Sequence, residues 1–466
     1  MKNLILIISA LIIGYSLNAQ STFEKVITKG TNENSKSVIQ TSDGGYAFLG
    51  NVGSGSGYDR WLVKTNQMGD TLWTRIYHGI GNTRSGDRCI IQTSDGGFTF
   101  IANRNGKTNL LHTSSTGDSL WEKELYAGTG IAISPAVTNG YIVTGQGASS
   151  TWALKVCQAN SIGNVIWQKD YFPIPLTLAA WPYSWAVREI TGGGFIVAGG
   201  ISTAFFTSVP FLFRIGPTGD SLWFKDYSYY GDEAIYSVEL TNDNGFFACG
   251  DVNTGQNAYV MKFNSTGDTL WTRVLLAPGE QYFNSIRATD DGGVIACGEY
   301  ASSFPNDSSK VYLVKFTSSG VIAWERKIGD YEYSLGASIE HTADTGFIIC
   351  GDVKQTITSS QHALLIKTDG NGNMTGIENH IAEANTWFYP NPASDYTNLS
   401  LPANHPGLPI KIKLYNLFGQ QVKIFETPVG QTNYPLKIID LPPGIYAATI
   451  ETPNKPVERA KLVVRR

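Results

Sequence analysis

From Ser37 to Tyr77 four short apolar-polar runs follow one another, S-V-I-Q-T, Y-A-F-L-G, W-L-V-K-T and W-T-R-I-Y. Runs rich in β-branched and aromatic residues and bounded by turn signals read as strands. Asp43-Gly44-Gly45 after the first run and Gly69-Asp70 after the third mark tight turns, because glycine reaches positive φ without steric cost. The unit is therefore a four-stranded antiparallel meander.

The unit recurs. Its hairpin glycine is found as Gly45, Gly97, Gly140, Gly194, Gly245, Gly293 and Gly346, seven units roughly fifty residues apart, a spacing that suits propeller blades. The fourth strand carries Trp73, Trp121, Trp167, Trp223, Trp271 and Trp324, only six, and the seventh unit ends at Asp369-Gly-Asn-Gly-Asn without one. Phe23–Gly30, F-E-K-V-I-T-K-G, matches W-T-R-I-Y-H-G in pattern, so the N-terminal segment is expected to supply the last blade's outer strand and close the ring. The predicted fold is all-β: a seven-bladed β-propeller over 20–376 closed by an N-terminal outer strand, a linker at 377–386, and a small C-terminal Ig-like β-sandwich over 387–466. Alternating runs such as Ile410–Leu414 and Gln421–Phe425 support the sandwich.

Met1–Ala19, with Lys2 and an apolar run to Leu17, reads as a secretory signal peptide, and no further stretch is apolar enough for a transmembrane segment. The net charge of −4 argues against nucleic acid as a partner. Of the five cysteines, Cys249, Cys297 and Cys350 share one second-strand position, where a small thiol fills space between blades.

The C-terminal residues resemble a known family. Tyr389-Pro-Asn-Pro392, Leu414–Val422, Leu441-Pro-Pro-Gly-Ile-Tyr446 and Lys461–Arg465 stand in the order of the C-terminal sorting domain of type IX secretion in the Bacteroidota. The resemblance implies export to the cell surface or medium after a periplasmic step, with residues 387–466 read by the translocon and then usually cleaved. The propeller repeats are similar to tryptophan-bearing repeats of the quinoprotein type, which implies fold but not activity. Four D-S/T-L triplets, beginning at Asp70, Asp118, Asp220 and Asp268, resemble the O-glycosylation sequon of the same bacteria, although turn hydrogen bonding explains them as well. Thr93–Phe100 fits the Asp-box of sialidases, but between the first and second strands rather than the third and fourth, so it reads as a hairpin turn.

Loops after the second and fourth strands vary in length, among them Gly53–Asp59 and Leu125–Gly130, and they share one face of the propeller. Variable loops on a rigid scaffold are where binding sits. Small residues, Ser37, Cys89, Ala186, Ser237, Ser285 and Ser338, line up on the inner strands, and the residue before each differs; the third unit is too short to align. The expected ligand-binding residues cluster there: Trp181, Tyr183 and Trp185 at blade four, Tyr229, Tyr230 and Tyr236 at blade five, Tyr282 at blade six, Tyr331 and Tyr333 at blade seven. Lys36 and Arg88 make the opposite side basic. Aromatic planes with polar tips suit a glycan or a surface protein.

Motifs for hydrolytic, metal or nucleotide chemistry are missing from the sequence. Asp251, Glu299 and Asp352 each follow a second-strand glycine and would be the candidates if Ca²⁺ were bound; otherwise no cofactor is expected. The reading is a monomeric, exported binding propeller. The alternative is a polysaccharide-active hydrolase or lyase working on the same face.

Overall fold

The computed structural model describes residues 21–465 except 31, 55–56, 80–85, 87, 137–139, 149–152, 172–179, 204–207, 228–232, 253–255, 277–278, 303–307, 357, 375–387, 392, 401–409, 417–419, 428–432 and 452–457. The signal-peptide and linker segments, Tyr229 and Tyr230 lie outside the described residues. The chain divides into two compact units, Met1–Glu378 and Asn379–Arg466.

In the first unit every described strand is antiparallel to its neighbour. Blade one is Glu33–Gln40, Tyr46–Ser54, Gly57–Thr65 and Thr71–Tyr77, paired in sequence order. Blades four, five and six begin at Ala180, Glu233 and Glu280 and repeat that order. Blade seven is Tyr333–His341, Phe347–Lys354 and His362–Thr368, and its fourth strand is Phe23–Ile27, which pairs with His362–Thr368 from Phe23↔Lys367 to Ile27↔Ala363. Blades two and three are fused into one seven-stranded sheet, because Ser119–Ala136 is both the outer strand of one and the inner strand of the next.

That fusion corrects one expectation. Leu125–Gly130 is not a loop but the middle of an eighteen-residue strand. Gly53 and Ser54 are likewise ladder rather than open loop, paired with Tyr58 and Gly57.

Neighbouring blades are joined by one repeated contact. Each outer-strand tryptophan lies over the third-turn glycine of the next blade: a Cβ on Gly117 would come within 2.7 Å of the Trp73 ring, and one on Gly372 within 2.6 Å of Trp324. At the closing joint Phe23 takes the tryptophan's place, and a Cβ on Gly69 would meet its ring at 2.4 Å. These turn glycines also sit at φ near +75° (Gly69 at 77°, Gly117 at 80°), so two constraints select glycine at once. Two residues after the aromatic, a basic side chain reaches the aspartate of the same turn: Lys25–Asp70 at 3.0 Å, Lys169–Asp220 at 2.9 Å and Lys225–Asp268 at 2.5 Å. The aspartates of the D-S/T-L triplets thus have a place in blade joining.

The T-S-D-G-G turn is also structural. In blade one Thr41 donates to Asp43 at 2.6 Å, the Gly45 N–H donates to the same carboxylate, and the buried Lys64 ammonium caps it at 2.8 Å. Lys262–Asp243, Lys315–Asp291 and Lys367–Asp344 repeat the pair, and His112 faces Asp95 in blade two. All five cysteines are buried thiols outside any disulfide. Cys249, Cys297 and Cys350 sit in three apolar clusters, and burial pushes the Cys350 thiol up.

In the second unit a three-stranded sheet (Phe388–Tyr389, Tyr396–Ser400, Asn433–Lys437) and a four-stranded one (Ile410–Tyr415, Gln421–Thr427, Gly444–Glu451, Glu458–Val464) share one core. Leu399 and Leu436 from one sheet meet Ile412, Tyr446 and Leu462 from the other, the arrangement of a sandwich.

Candidate functional site

The inner strands carry a regular irregularity. In blades one, four, five, six and seven the pairing register slips at the same place, between Ser35 and Ser37, Ser184 and Ala186, Ile235 and Ser237, Phe283 and Ser285, and Gly336 and Ser338. Blade three slips opposite Thr144/Gly145, which leaves Ile131 unpaired. The extra residues are Lys36, Ile131, Trp185, Tyr236, Asn284 and Ala337. A β-bulge leaves one residue outside the ladder and re-aims its side chain.

The bulge explains a second repeated residue. The second strand places a glycine opposite it, and a Cβ there would fall 1.8 Å from the Asn34 carbonyl oxygen at Gly50 and 1.9 Å from that of Tyr282 at Gly298. Blade two has Ala102 at this position, and its inner strand is reduced to Ile90–Gln92. The residues after the bulges are small and fully buried, and they tie blade to blade. The Ser37 hydroxyl accepts from the Cys89 N–H, Ser237 from Ile286 and Ser285 from Ile339, each at 3.2 Å. Ala132 fills the position in the third unit that sequence alignment left open.

Five of the six bulged residues line one cavity of about 210 Å³ at the axis: Lys36, Trp185, Tyr236, Asn284 and Ala337. Tyr282, Leu335 and Gly86 also line it. Gly86 is held against blade three by its N–H donating to Ile131 O at 2.9 Å, and a Cβ on it would lie 2.0 Å from the Trp185 carbonyl oxygen. The aromatic wall is continuous. Tyr183 meets Trp185 edge-on at 5.8 Å, and Trp185 meets Tyr236 edge-on at 5.7 Å.

Behind the wall stand buried acids. Asp352 accepts from Ser35 N at 2.8 Å and Gln361 Nε2 at 2.9 Å, with the Lys36 ammonium at 3.6 Å. Burial pushes its carboxyl up, against the pull of Lys36. Glu299 accepts from the Tyr282 hydroxyl, and burial pushes this carboxyl up as well. Asp251 is also buried. Among the described residues no three His, Cys, Asp or Glu side chains gather as metal ligands.

The eleven residues singled out in the sequence separate here. Lys36, Trp185, Tyr236 and Tyr282 come together in the cavity, and Tyr183 backs it. Trp181 is 37% exposed on the same strand as Trp185. Tyr333 stacks under the Lys354 ammonium at 5.3 Å, and Tyr331 packs against the blade six–seven core. Arg88 takes part in a different structure. It pairs with Glu340 at 2.8 Å and Glu239 at 3.4 Å, alongside Arg287–Glu340 at 2.8 Å and Arg188–Glu239 at 3.4 Å. Burial pushes the Glu340 carboxyl up, but Arg287 and Arg88 more than offset this and hold it down to about 2. Sequence reading missed Asn284 and Ala337 as wall residues, although both occupy the variable position before the small residue.

Residues 387–465 match the Secretion system C-terminal sorting domain. The C-terminal unit is therefore a sorting domain of type IX secretion, and the chain is a secreted or cell-surface protein that meets that machinery through it. Among the described residues no helix is long and apolar enough to cross a membrane. No curated protein matches the chain significantly. Among solved structures it is similar to Sqt1 from Chaetomium thermophilum (TM-score 0.45, 11% identity, 71% of this chain and 83% of that one). It is also similar to Drosophila Plexin A in complex with Semaphorin 1b (TM-score 0.43, 8% identity, 75% and 88%). At these values the likenesses say nothing about function.

Proposed function

We propose that the propeller is a ligand-binding module delivered to the cell exterior by its sorting domain, and that it binds a glycan at the axial cavity. One observation carries this reading. The five bulged positions that line the cavity hold five different residues, Lys, Trp, Tyr, Asn and Ala, where the scaffold asks only for a bulge. Trp185, Tyr236 and Tyr282 put aromatic rings on the cavity wall, which suits the apolar faces of a sugar. Trp181 and Tyr333 extend the aromatic surface beyond the cavity, and a protein loop offering similar groups is the competing ligand.

The test is a glycan-array screen of the full-length secreted protein beside its Tyr236→Ala variant. Binding to a defined set of glycans that falls at least ten-fold in the variant supports the proposal; unchanged binding by the variant places the site elsewhere. A second reading, a polysaccharide-active enzyme, is favoured by Glu299 and Asp352, carboxyls raised by burial and held behind the wall residues Tyr282 and Lys36. Product release from the bound glycan that disappears in Glu299→Gln would decide for it.

A further inference from the structure

We infer that the axial cavity is a subsite for one terminal acidic sugar, whose carboxylate is held by Lys36 while its ring lies against Trp185 and Tyr236; this rests on the glycan-binding reading above. Size sets the first limit. At about 210 Å³ the cavity falls below the roughly 300–1,000 Å³ of pockets that enclose drug-sized ligands. It has room for one sugar unit entering end-on, not for a chain laid across it.

Charge sets the second. Lys36 is the one cationic side chain among the described residues lining the cavity. Its ammonium stands 3.6 Å from Asp352, beyond hydrogen-bond range, while Asp352 is already served by the Ser35 amide at 2.8 Å and Gln361 at 2.9 Å. The lysine therefore keeps N–H donors to give to a ligand. Arg88, the other basic residue at a bulge-equivalent position, is committed to Glu340 and Glu239, so among the described residues positive charge is offered from blade one.

Hydrogen-bond capacity sets the third. Asn284 spends its Nδ2 on Gly336 O at 2.9 Å, which fixes the amide and leaves its Oδ1 as an acceptor at the cavity wall. A donor for the carboxylate on one side and an acceptor for a hydroxyl on another match a uronic-acid-type unit, which carries both. A free peptide C-terminus supplies the carboxylate but not the ring of hydroxyls.

The experiment uses full-length secreted protein and a panel of uronate-containing oligosaccharides. Each is paired with its carboxyl-reduced neutral twin, and the acid is placed either at the chain end or only inside. Calorimetry should show the end-acid members binding at least ten-fold tighter than their reduced twins and than the internal-acid members. Lys36→Met should erase that preference, and Lys36→Arg should restore part of it, with melting temperatures recorded for both. Equal binding of acid and reduced twins, equal binding of internal and terminal acids, or a preference that survives Lys36→Met in a folded variant would each overturn the inference. Neutral glycans that bind in a Tyr236-dependent way would leave the glycan reading standing while the charge inference falls. A panel that shows no glycan binding at all removes both, as does preference for a peptide with a free C-terminal carboxylate.

Discussion

The rim and the axis of the propeller are built from the same seven repeats and follow opposite rules. At the rim every joint uses an aromatic ring over a turn glycine, with a basic residue two positions on, from Phe23–Gly69 with Lys25–Asp70 around to Trp324–Gly372 with Arg326–Asn373. At the axis the backbone device, the bulge, recurs in six blades, but its side chain changes from blade to blade. Where a repeat keeps a residue, packing or turn geometry accounts for it. Where it keeps the backbone but varies the side chain, the scaffold leaves the choice open and a ligand can make it.

The sharpest way to break the rim is to remove its substitute joint. Deleting Phe23–Ile27 leaves His362–Thr368 as a bare edge and strips Gly69 of its cover, so the cooperative melt of the propeller should be lost or fall steeply. Phe23→Ala alone, at a side chain only 9% exposed, should cost about 3 kcal/mol in chemical denaturation. An unchanged melt after the deletion would show that the ring does not depend on this strand.

The backbone device at the axis can be tested separately from its side chains. In Gly298→Ala the new Cβ would sit 1.9 Å from the Tyr282 carbonyl oxygen, so the bulge that presents Asn284 must shift, at a cost of about 3 kcal/mol. Ala102→Gly in blade two, where no bulge is paired among the described residues, should cost only about 1 kcal/mol through backbone entropy. Equal losses at the two sites would show that the second-strand glycine is not there for the bulge.

Much of the rim was legible in the sequence, and little of the axis. Phe23 could be matched to the tryptophans because strand alternation and the basic residue two positions on are local signals. The fusion of blades two and three could not be seen, because Ser119–Ala136 runs on where a turn was expected. The bulges are register shifts against a partner strand and leave no mark on the inner strand itself. Their trace is the glycine five residues after each hairpin glycine, present as Gly50, Gly145, Gly199, Gly250, Gly298 and Gly351 and replaced by Ala102 in blade two. The pairing of Arg88 was illegible for a related reason: its partner Glu340 lies 252 residues away, and only ring closure brings the two together.

The hairpin turns give the comparison a pH axis. Asp43, Asp243 and Asp291 are held down to about 2: burial at Asp43 and Asp291 opposes this and is overcome by Lys64 and Lys315, while at Asp243 the Thr241 hydroxyl leads and Lys262 adds to it. Folded values below the unfolded value of about 3.9 mean that the proton binds the unfolded chain more readily. Their contribution is complete above about pH 4 and fades as the pH falls through 2. Urea midpoints should therefore drop between pH 4 and 2, and the triple Asp→Asn variant should show a flatter profile. A wild-type profile in the variant would place the acid sensitivity in other groups.

The smallest expected change is the one that best separates site from scaffold. Arg88 occupies the sequence position of the cavity residues, yet its guanidinium is spent on Glu340 and Glu239. In Arg88→Leu, Glu340 keeps Arg287 at 2.8 Å and Glu239 keeps Arg188 at 3.4 Å, so no buried carboxylate is left alone. Because Arg88 is 23% exposed and its loss is shared, stability should fall by only about 1 kcal/mol. Ligand affinity should stay within two-fold, since the lining residues keep their positions. Loss of binding at unchanged stability would instead put Arg88 among the ligand contacts and return the basic side of the axis to two residues. A loss of several kcal/mol would show that the arginine–glutamate cluster is a keystone as demanding as any joint at the rim.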